Sequence, residues 1–198
     1  EILYDIGAQR TCMPTDDSVQ VENVVASTSL DQELNLDELT DDLPAARYDP
    51  EQFPGLVYRT QEPKAATLIF RSGEVVTTGA KAVEQVHEAL RQVIGELRDL
   101  GIDTDPDPDV EVQNIVSSAD LGEQLNLNAI AIGLGLENVE YEPEQFPGLV
   151  YRMEDPEVVT LLFGSGKAVI TGGKKVDQAS AAVENVQDRL SDLGLAAA

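Results

Sequence analysis

The sequence predicts a duplicated α+β fold: one antiparallel sheet built from two like units, with helices on a single face. Three observations carry that expectation. The decapeptide PEQFPGLVYR occurs at Pro50–Arg59 and again at Pro143–Arg152, which is far beyond chance. The likeness spreads on both sides of it: Val19–Thr28 matches Val110–Ala119, Leu30–Leu39 matches Leu121–Ile130, and Ala66–Lys81 matches Val159–Lys174. Runs rich in β-branched and aromatic residues, broken by turn residues, alternate with amphipathic helical stretches. The offset is 91 early (Val19 to Val110) and 93 later (Pro50 to Pro143), so the second copy carries two extra residues near Gly133–Glu137. Solenoid repeats run about 20–50 residues; a period this long is domain-sized. The organisation follows: residues 1–18 without a counterpart, read as a flexible arm, a first repeat at 19–100, a linker at 101–109 and a second repeat at 110–198.

Each element has a local reason. Val19–Ser27 alternates as a strand that places Val21, Asn23, Val25 and Ser27 on one face. Leu34–Leu43 reads as a short helix with Asn35 or Asp37 as its N-cap. Strands follow, separated by turn signals at Pro54-Gly55, Glu62-Pro63 and Ser72-Gly73. Thr78-Gly79 then leads into a helix over about Ala80–Leu100. Its apolar stripe is Val83, Val86, Leu90, Val93, Leu97 and Leu100; the second copy offers Val176, Ala179, Val183, Val186, Leu190 and Leu193. Gly101 and Gly194 fit the left-handed residue that ends a helix. Each unit is thus strand, helix, four strands, helix. Two such sheets joined edge to edge give one long sheet.

Composition narrows the function. The chain of 198 residues has a net charge of −24, one cysteine (Cys12) and one histidine (His87). No apolar run reaches the length of a membrane span. An internal disulfide and a zinc cluster of soft ligands are both excluded. The charge argues at first against nucleic acid, because phosphate contacts need cations. The acids are unevenly spread, however. Residues 47–81 and 152–175 each sum to +1, leaving −26 for the remainder. A solvated acidic surface with chance gaps is the plain account. The sharper one is a salt-adapted cytoplasmic protein whose acids cover every face but one.

That spared face can be written out by alternation. It takes Asn23, Val25, Leu68, Phe70, Val76 and Thr78 from the first copy, and Asn114, Val116, Leu161, Phe163, Val169 and Thr171 from the second. Phe53 and Phe146 sit beside Pro-Gly turns. None of these positions is charged, and an apolar face in so acidic a chain has to be buried against something. Core packing would account for them as well as a ligand would. Periodicity alone does not say which face the helices cover.

At these residues the sequence resembles the TATA-box-binding protein family in its archaeal form. The motifs are QNIV at Gln113–Val116, EPEQFPGLVYR at Glu142–Arg152, LLFGSGKAVITGGK at Leu161–Lys174 and their first-copy partners. The resemblance covers about Val19 to Leu195. It implies a saddle: a curved ten-stranded antiparallel sheet, concave on the minor groove of A·T-rich DNA, with four helices on the convex face. This family is itself the standard case of minor-groove binding with apolar wedges and a kinked duplex.

Carried over by residue, the resemblance makes Asn23 and Asn114 the central donors to base acceptors, with Thr78 and Thr171 beside them. Val25, Val76, Val116 and Val169 pack on base edges and sugars, and Leu68 and Leu161 line the same face. Phe53 with Phe70, and Phe146 with Phe163, are the wedges. Arg59, Lys81, Arg152, Lys167 and Lys174 are basic positions near phosphates. Glu142 and Glu144 lie in the stirrup that contacts transcription factor B, through which RNA polymerase is reached indirectly. The implied function is a general transcription initiation factor, monomeric on promoter DNA, associated with the nucleoid in the cytoplasm, with no cofactor, metal or membrane. Two features depart from the family: Glu74 stands where Lys is usual, and Gln52 and Gln145 precede the wedges. Both suggest fewer phosphate contacts, above all in the first repeat. The competing reading is a diverged paralogue acting through protein partners; the intact Asn, Val, Thr and Phe sets oppose it. An enzyme is disfavoured, since the two copies use up the chain and leave no catalytic cluster. SGEVVTTG and SGKAVITGG lack phosphate-loop spacing, and His87 reads as a surface residue.

Overall fold

A computed structural model describes residues 19–135 and 137–195. The expected arm at 1–18, with Cys12, lies outside them. The first repeat runs β1 (Val19–Ser29), α1 (Leu36–Asp42), β2 (Ala46–Arg47), β3 (Leu56–Gln61), β4 (Lys64–Ile69), β5 (Glu74–Ala80) and α2 (Val83–Asp99). The second repeats the order as β6 (Glu111–Asp120), α3 (Leu127–Leu134), β7 (Val139–Glu140), β8 (Gly148–Glu154), β9 (Glu157–Phe163), β10 (Lys167–Gly173) and α4 (Val176–Asp192). All ten strands form one antiparallel sheet in the order β2-β3-β4-β5-β1-β6-β10-β9-β8-β7. The two repeats meet at β1 and β6, and the sheet runs on through the junction.

The helices lie on one face because each strand alternates. Val24, Ala26 and Thr28 of β1 are buried while Asn23, Val25 and Ser27 between them are only half-buried. The long helices fill the buried side. Val86, Ala89, Leu90, Val93, Ile94 and Leu97 of α2 are buried, as are Ala179, Ala182, Val183, Val186 and Leu190 of α4. The predicted stripe holds in its middle and fails at its ends: Leu100, Val176 and Leu193 are exposed.

Two other expectations shift. Val21 is not on the face of Asn23; it packs on the core side, because a bulge falls between Val21 and Asn23. The extra residue, Glu22, reverses the alternation. The long helix begins at Val83 rather than Ala80, since Thr78, Gly79 and Ala80 stay in β5. The 101–109 linker is tied to the first repeat. Thr28 donates to the Asp109 carbonyl at 2.6 Å, and the Gln32 amide to the Asp103 carbonyl at 2.5 Å. The two-residue insertion falls where the offset changes. It gives α3 eight residues against seven in α1 and lengthens the loop before β7.

Beneath the sheet, Ser117 occupies the place that Ala26 holds in the first repeat. Its hydroxyl is fully buried and finds no partner among the described residues. A buried, unpaired hydroxyl costs stability that a methyl does not. Ser117→Ala is therefore expected to stabilise the fold by about 1 kcal/mol, read as a higher urea midpoint at unchanged slope.

Candidate nucleic-acid interface

The face without helices is where the sequence placed its uncharged set, and strand pairing lines those residues up. Val57, Leu68, Val76 and Ser27 stand opposite one another across β3, β4, β5 and β1. Val150, Leu161, Val169 and Ser118 do the same across β8, β9, β10 and β6. At the junction Asn23 faces Val116 and Val25 faces Asn114. Every one of these face residues is half-buried, while their strand neighbours Val24, Ile69, Val75, Ile115, Leu162 and Ile170 are buried under the helices. Core packing thus takes the alternate set and leaves these side chains open. Val57 and Val150 were missed by the sequence reading. They sit inside the duplicated decapeptide, two residues before Arg59 and Arg152, and extending the alternation by one step would have found them.

The asparagines are held rigidly. Gly79 donates its N–H to Asn23 Oδ1 at 2.8 Å, and Thr78 Oγ1 lies 3.1 Å from Asn23 Nδ2. In the second repeat Gly172 donates to Asn114 Oδ1 at 2.7 Å, with Thr171 Oγ1 3.1 Å from Asn114 Nδ2. A backbone donor fixes which end of the amide is oxygen. Each amide nitrogen carries two N–H groups and has one threonine hydroxyl beside it, which leaves at least one N–H for another partner. Gly79 and Gly172 sit at bulges of β5 and β10 with φ of +96° and +93°. Glycine adopts that conformation at little steric cost, and the bulge aims the N–H at the amide. The result is two amide groups near the centre of the face, among uncharged side chains.

At each end stands a pair of phenylalanines. Phe53 and Phe70 have ring centroids 5.8 Å apart at 62°, and Phe146 and Phe163 5.9 Å apart at 69°. The stirrup loops that carry Phe53 and Phe146 are closed by backbone bonds to the carbonyls of Asp49 (2.9 Å) and Glu142 (3.0 Å). Gly55 and Gly148 make room for the rings. A methyl at Gly55 would come within 2.7 Å of Phe53 Cε1 and 3.0 Å of Phe70 Cε1, and one at Gly148 would meet Phe146 and Phe163 equally closely.

The cations expected near phosphates divide into two groups. Arg59 and Lys167 are exposed, with no ion pair recorded to any described acid. Lys81 pairs with Glu22 and Lys174 with Glu111, each at 2.6 Å, and Arg152 pairs with Glu140 at 3.1 Å. Lys81, with help from the Ser118 hydroxyl, holds the Glu22 carboxyl below its usual range; Lys174 does the same to Glu111. All three pairs are exposed, so water and salt screen them strongly. The first repeat keeps several cations outside such pairs. Arg47, Arg59, Lys64 and Arg71 have no ion pair recorded there, and two of the three pairs draw their base from the second repeat. Glu142 and Glu144 are both exposed on the second stirrup, and Glu142 accepts a hydrogen bond from the Gln145 amide.

A ten-stranded sheet with one open, uncharged face, duplicated about paired asparagines, is a narrow description. The family model for transcription factor TFIID, or TATA-binding protein, matches residues 18–100 and 109–193. The chain belongs to the TATA-binding protein family. It is 68% identical over 179 residues to TATA-box-binding protein B of Halobacterium salinarum, covering 90% of this chain and 96% of that one. It is 66% identical over the same length to the TATA-box-binding protein of Haloarcula marismortui, with the same coverage. Among solved structures it resembles Methanococcus jannaschii TBP, with a TM-score of 0.78 and 49% identity over 88% of this chain and 99% of that one. The family fold agrees with the sheet order and with the helices on one face.

Proposed function

We propose that this protein is a general transcription initiation factor that grips the minor groove of TATA-box promoter DNA and bends it. The observation that carries this reading is the pair of asparagine amides, Asn23 and Asn114, each fixed by a glycine N–H and set among uncharged side chains. In the minor groove, A·T and T·A present only acceptors, whereas guanine adds a protruding amino donor. Fixed amide donors suit the first pattern. The methyl groups of Val25, Val76, Val116, Val169, Thr78 and Thr171 clash with the second. The Phe53–Phe70 and Phe146–Phe163 pairs enter the base steps at either end and kink the duplex, at the cost of unstacking. Arg59 and Lys167 meet phosphates directly. Lys81, Arg152 and Lys174 do so once they exchange a carboxylate for a phosphate. Glu142 and Glu144 on the second stirrup form an acidic contact for transcription factor B, and the polymerase follows through that factor. The protein acts as a monomer on DNA, inside the cell.

The charge pattern supports a salt-rich setting. At about 1 M salt the Debye length is roughly 3 Å, so long-range attraction between lysines and DNA is lost and so is repulsion from the acids. Little counterion release remains to drive binding. Burial of the apolar face persists, and salting-out ions strengthen it.

Three measurements test this reading. Fluorescence anisotropy in molar potassium chloride is expected to show a TATA-containing duplex bound at least tenfold more tightly than a G·C-rich one; equal affinity would overturn the assignment. The double variant Phe53→Ala with Phe146→Ala is expected to reduce the bend, seen as lower energy transfer between dyes at the duplex ends. Its thermal unfolding should fall less than for a buried phenylalanine, since these rings are only partly covered. Asn114→Asp keeps an acceptor for the Gly172 N–H, so folding should survive. It turns an acceptor-only group toward groove acceptors, and binding should weaken about tenfold or more.

A further inference from the structure

The two ends of the open face are alike in shape and opposite in charge layout. Arg47 of β2 stands opposite Val57, and Glu140 of β7 stands opposite Val150. Cross-strand partners share a face, so both project on the open side. Their neighbours Ala46 and Val139 pack into the core, as that orientation requires. The two positions correspond in the repeats, and they are the outermost on the face because β2 and β7 are the sheet's edge strands. On the first end Arg47 joins Arg59, which lies two residues beyond Val57 on β3, and neither has an ion pair recorded with a described acid. On the second end Glu140 neutralises Arg152, through Nη2 at 3.1 Å and Nε at 3.3 Å.

From this we infer that Arg47 and Glu140 set the direction in which the protein sits on DNA, by reading the flanks beyond the bent segment. This rests on the DNA-binding reading above. A duplex leaving the sheet passes the β2 edge at one end and the β7 edge at the other. Flanks differ in groove width: A-tracts have a narrow minor groove and a stronger negative potential, which attracts arginine. The end with two free arginines is drawn to such a flank. The end with a carboxylate beside a neutralised arginine is not. At molar salt only contact-range charges act, and both residues are at the edge itself. Glu74 and Lys167 reverse the asymmetry elsewhere. They are equivalent positions at the β4–β5 and β9–β10 turns, on the open face beside the wedges. They lie along the face and not past its ends, so they bear on affinity and not on flank reading.

The test uses the full chain on a duplex whose A·T core is its own reverse complement, flanked by an A-tract on one side and a G·C run on the other. With a symmetric core, only the flanks can orient the protein. A donor dye on Asp42→Cys, in a Cys12→Ser background, reports the β2 end, because exposed Asp42 ends the helix that packs beside β2. Energy transfer to an acceptor on either DNA end gives the ratio of orientations, and titration gives total affinity. The unmodified edge is expected to place β2 over the A-tract by roughly three- to fivefold. Glu140→Gln, which frees Arg152 by removing one negative charge, should lower the ratio. Arg47→Glu with Glu140→Arg should invert it. Glu74→Lys with Lys167→Glu should change affinity and leave the ratio. An unbiased starting ratio, a ratio unmoved by the edge swap, or one governed by the Glu74–Lys167 swap overturns the inference while DNA binding stands. Failure of every form to bind the duplex overturns the functional reading with it.

Discussion

The pairing of β1 with β6 is the constraint on which the rest of the structure depends. It joins two sheets into one, and it does so with a bulge on each strand. Glu22 is the extra residue on β1, and Gln113 is the extra residue on β6. These two positions correspond in the repeats, so the kinks are related by the same pseudo-symmetry as the chain. Between them the register places Asn23 opposite Val116 and Val25 opposite Asn114. Without the bulges Val21 and Asn23 would share a face, and alternation through the centre would be broken elsewhere. With them, the core side keeps Val21, Val24 and Ala26, and the open side keeps one amide from each half. A matching bulge in β5 and in β10 then supplies the glycine N–H that locks each amide. The donors at the centre of the face are thus a consequence of four local irregularities in an otherwise regular ladder.

The features legible in the sequence were those written in repetition and alternation. The duplicated decapeptide fixed two units, the β-rich runs gave the strands, and the uncharged alternate positions marked the open face. The boundaries and breaks were less legible. Nothing in the pattern at Val19–Ser27 announces a bulge, because Glu22 is as ordinary in a strand as in a bulge; only the partner strand reveals the mismatch. The β5 strand runs on to Ala80 because Gly79 can take a positive φ inside the ladder, and the sequence offered the same glycine as a helix lead-in. The stripe ends at Leu100, Val176 and Leu193 look like core by spacing, yet they stand at the helix termini and are exposed. Ion pairs were invisible for a further reason. Lys81 and Glu22 are 59 positions apart, and Lys174 and Glu111 are 63.

Those ion pairs qualify how an acidic protein can hold a polyanion. Each is an exposed contact between groups already well hydrated, so exchanging the carboxylate for a phosphate costs little in contacts. The carboxylate is left behind, close to the same phosphate. Its repulsion is what the free protein trades for keeping lysine side chains ordered. At low ionic strength that repulsion extends over many ångströms and opposes binding. At molar salt it shrinks to contact range, and the displaced Glu22 keeps the Ser118 hydroxyl, 2.8 Å from Oε1, as a partner.

The same reasoning explains why the central rows of the face carry no charge, its charged side chains standing toward the edges and turns. A charged side chain buried against a base edge would lose its hydration and find no opposite charge, since the A·T minor groove offers only neutral acceptors. Salt does not relieve that cost, because screening acts through solvent and the buried contact has none. Sequence-independent attraction can be weakened by acidifying the surface, as it has been here, but selectivity has to rest on groups that act without solvent. In the proposed reading those are the two amides, the methyl groups that would exclude guanine and the ring pairs that Gly55 and Gly148 make room for. Their number is small, and each is fixed by backbone. Acid substitutions can therefore accumulate over the helices and loops without touching the part that reads DNA.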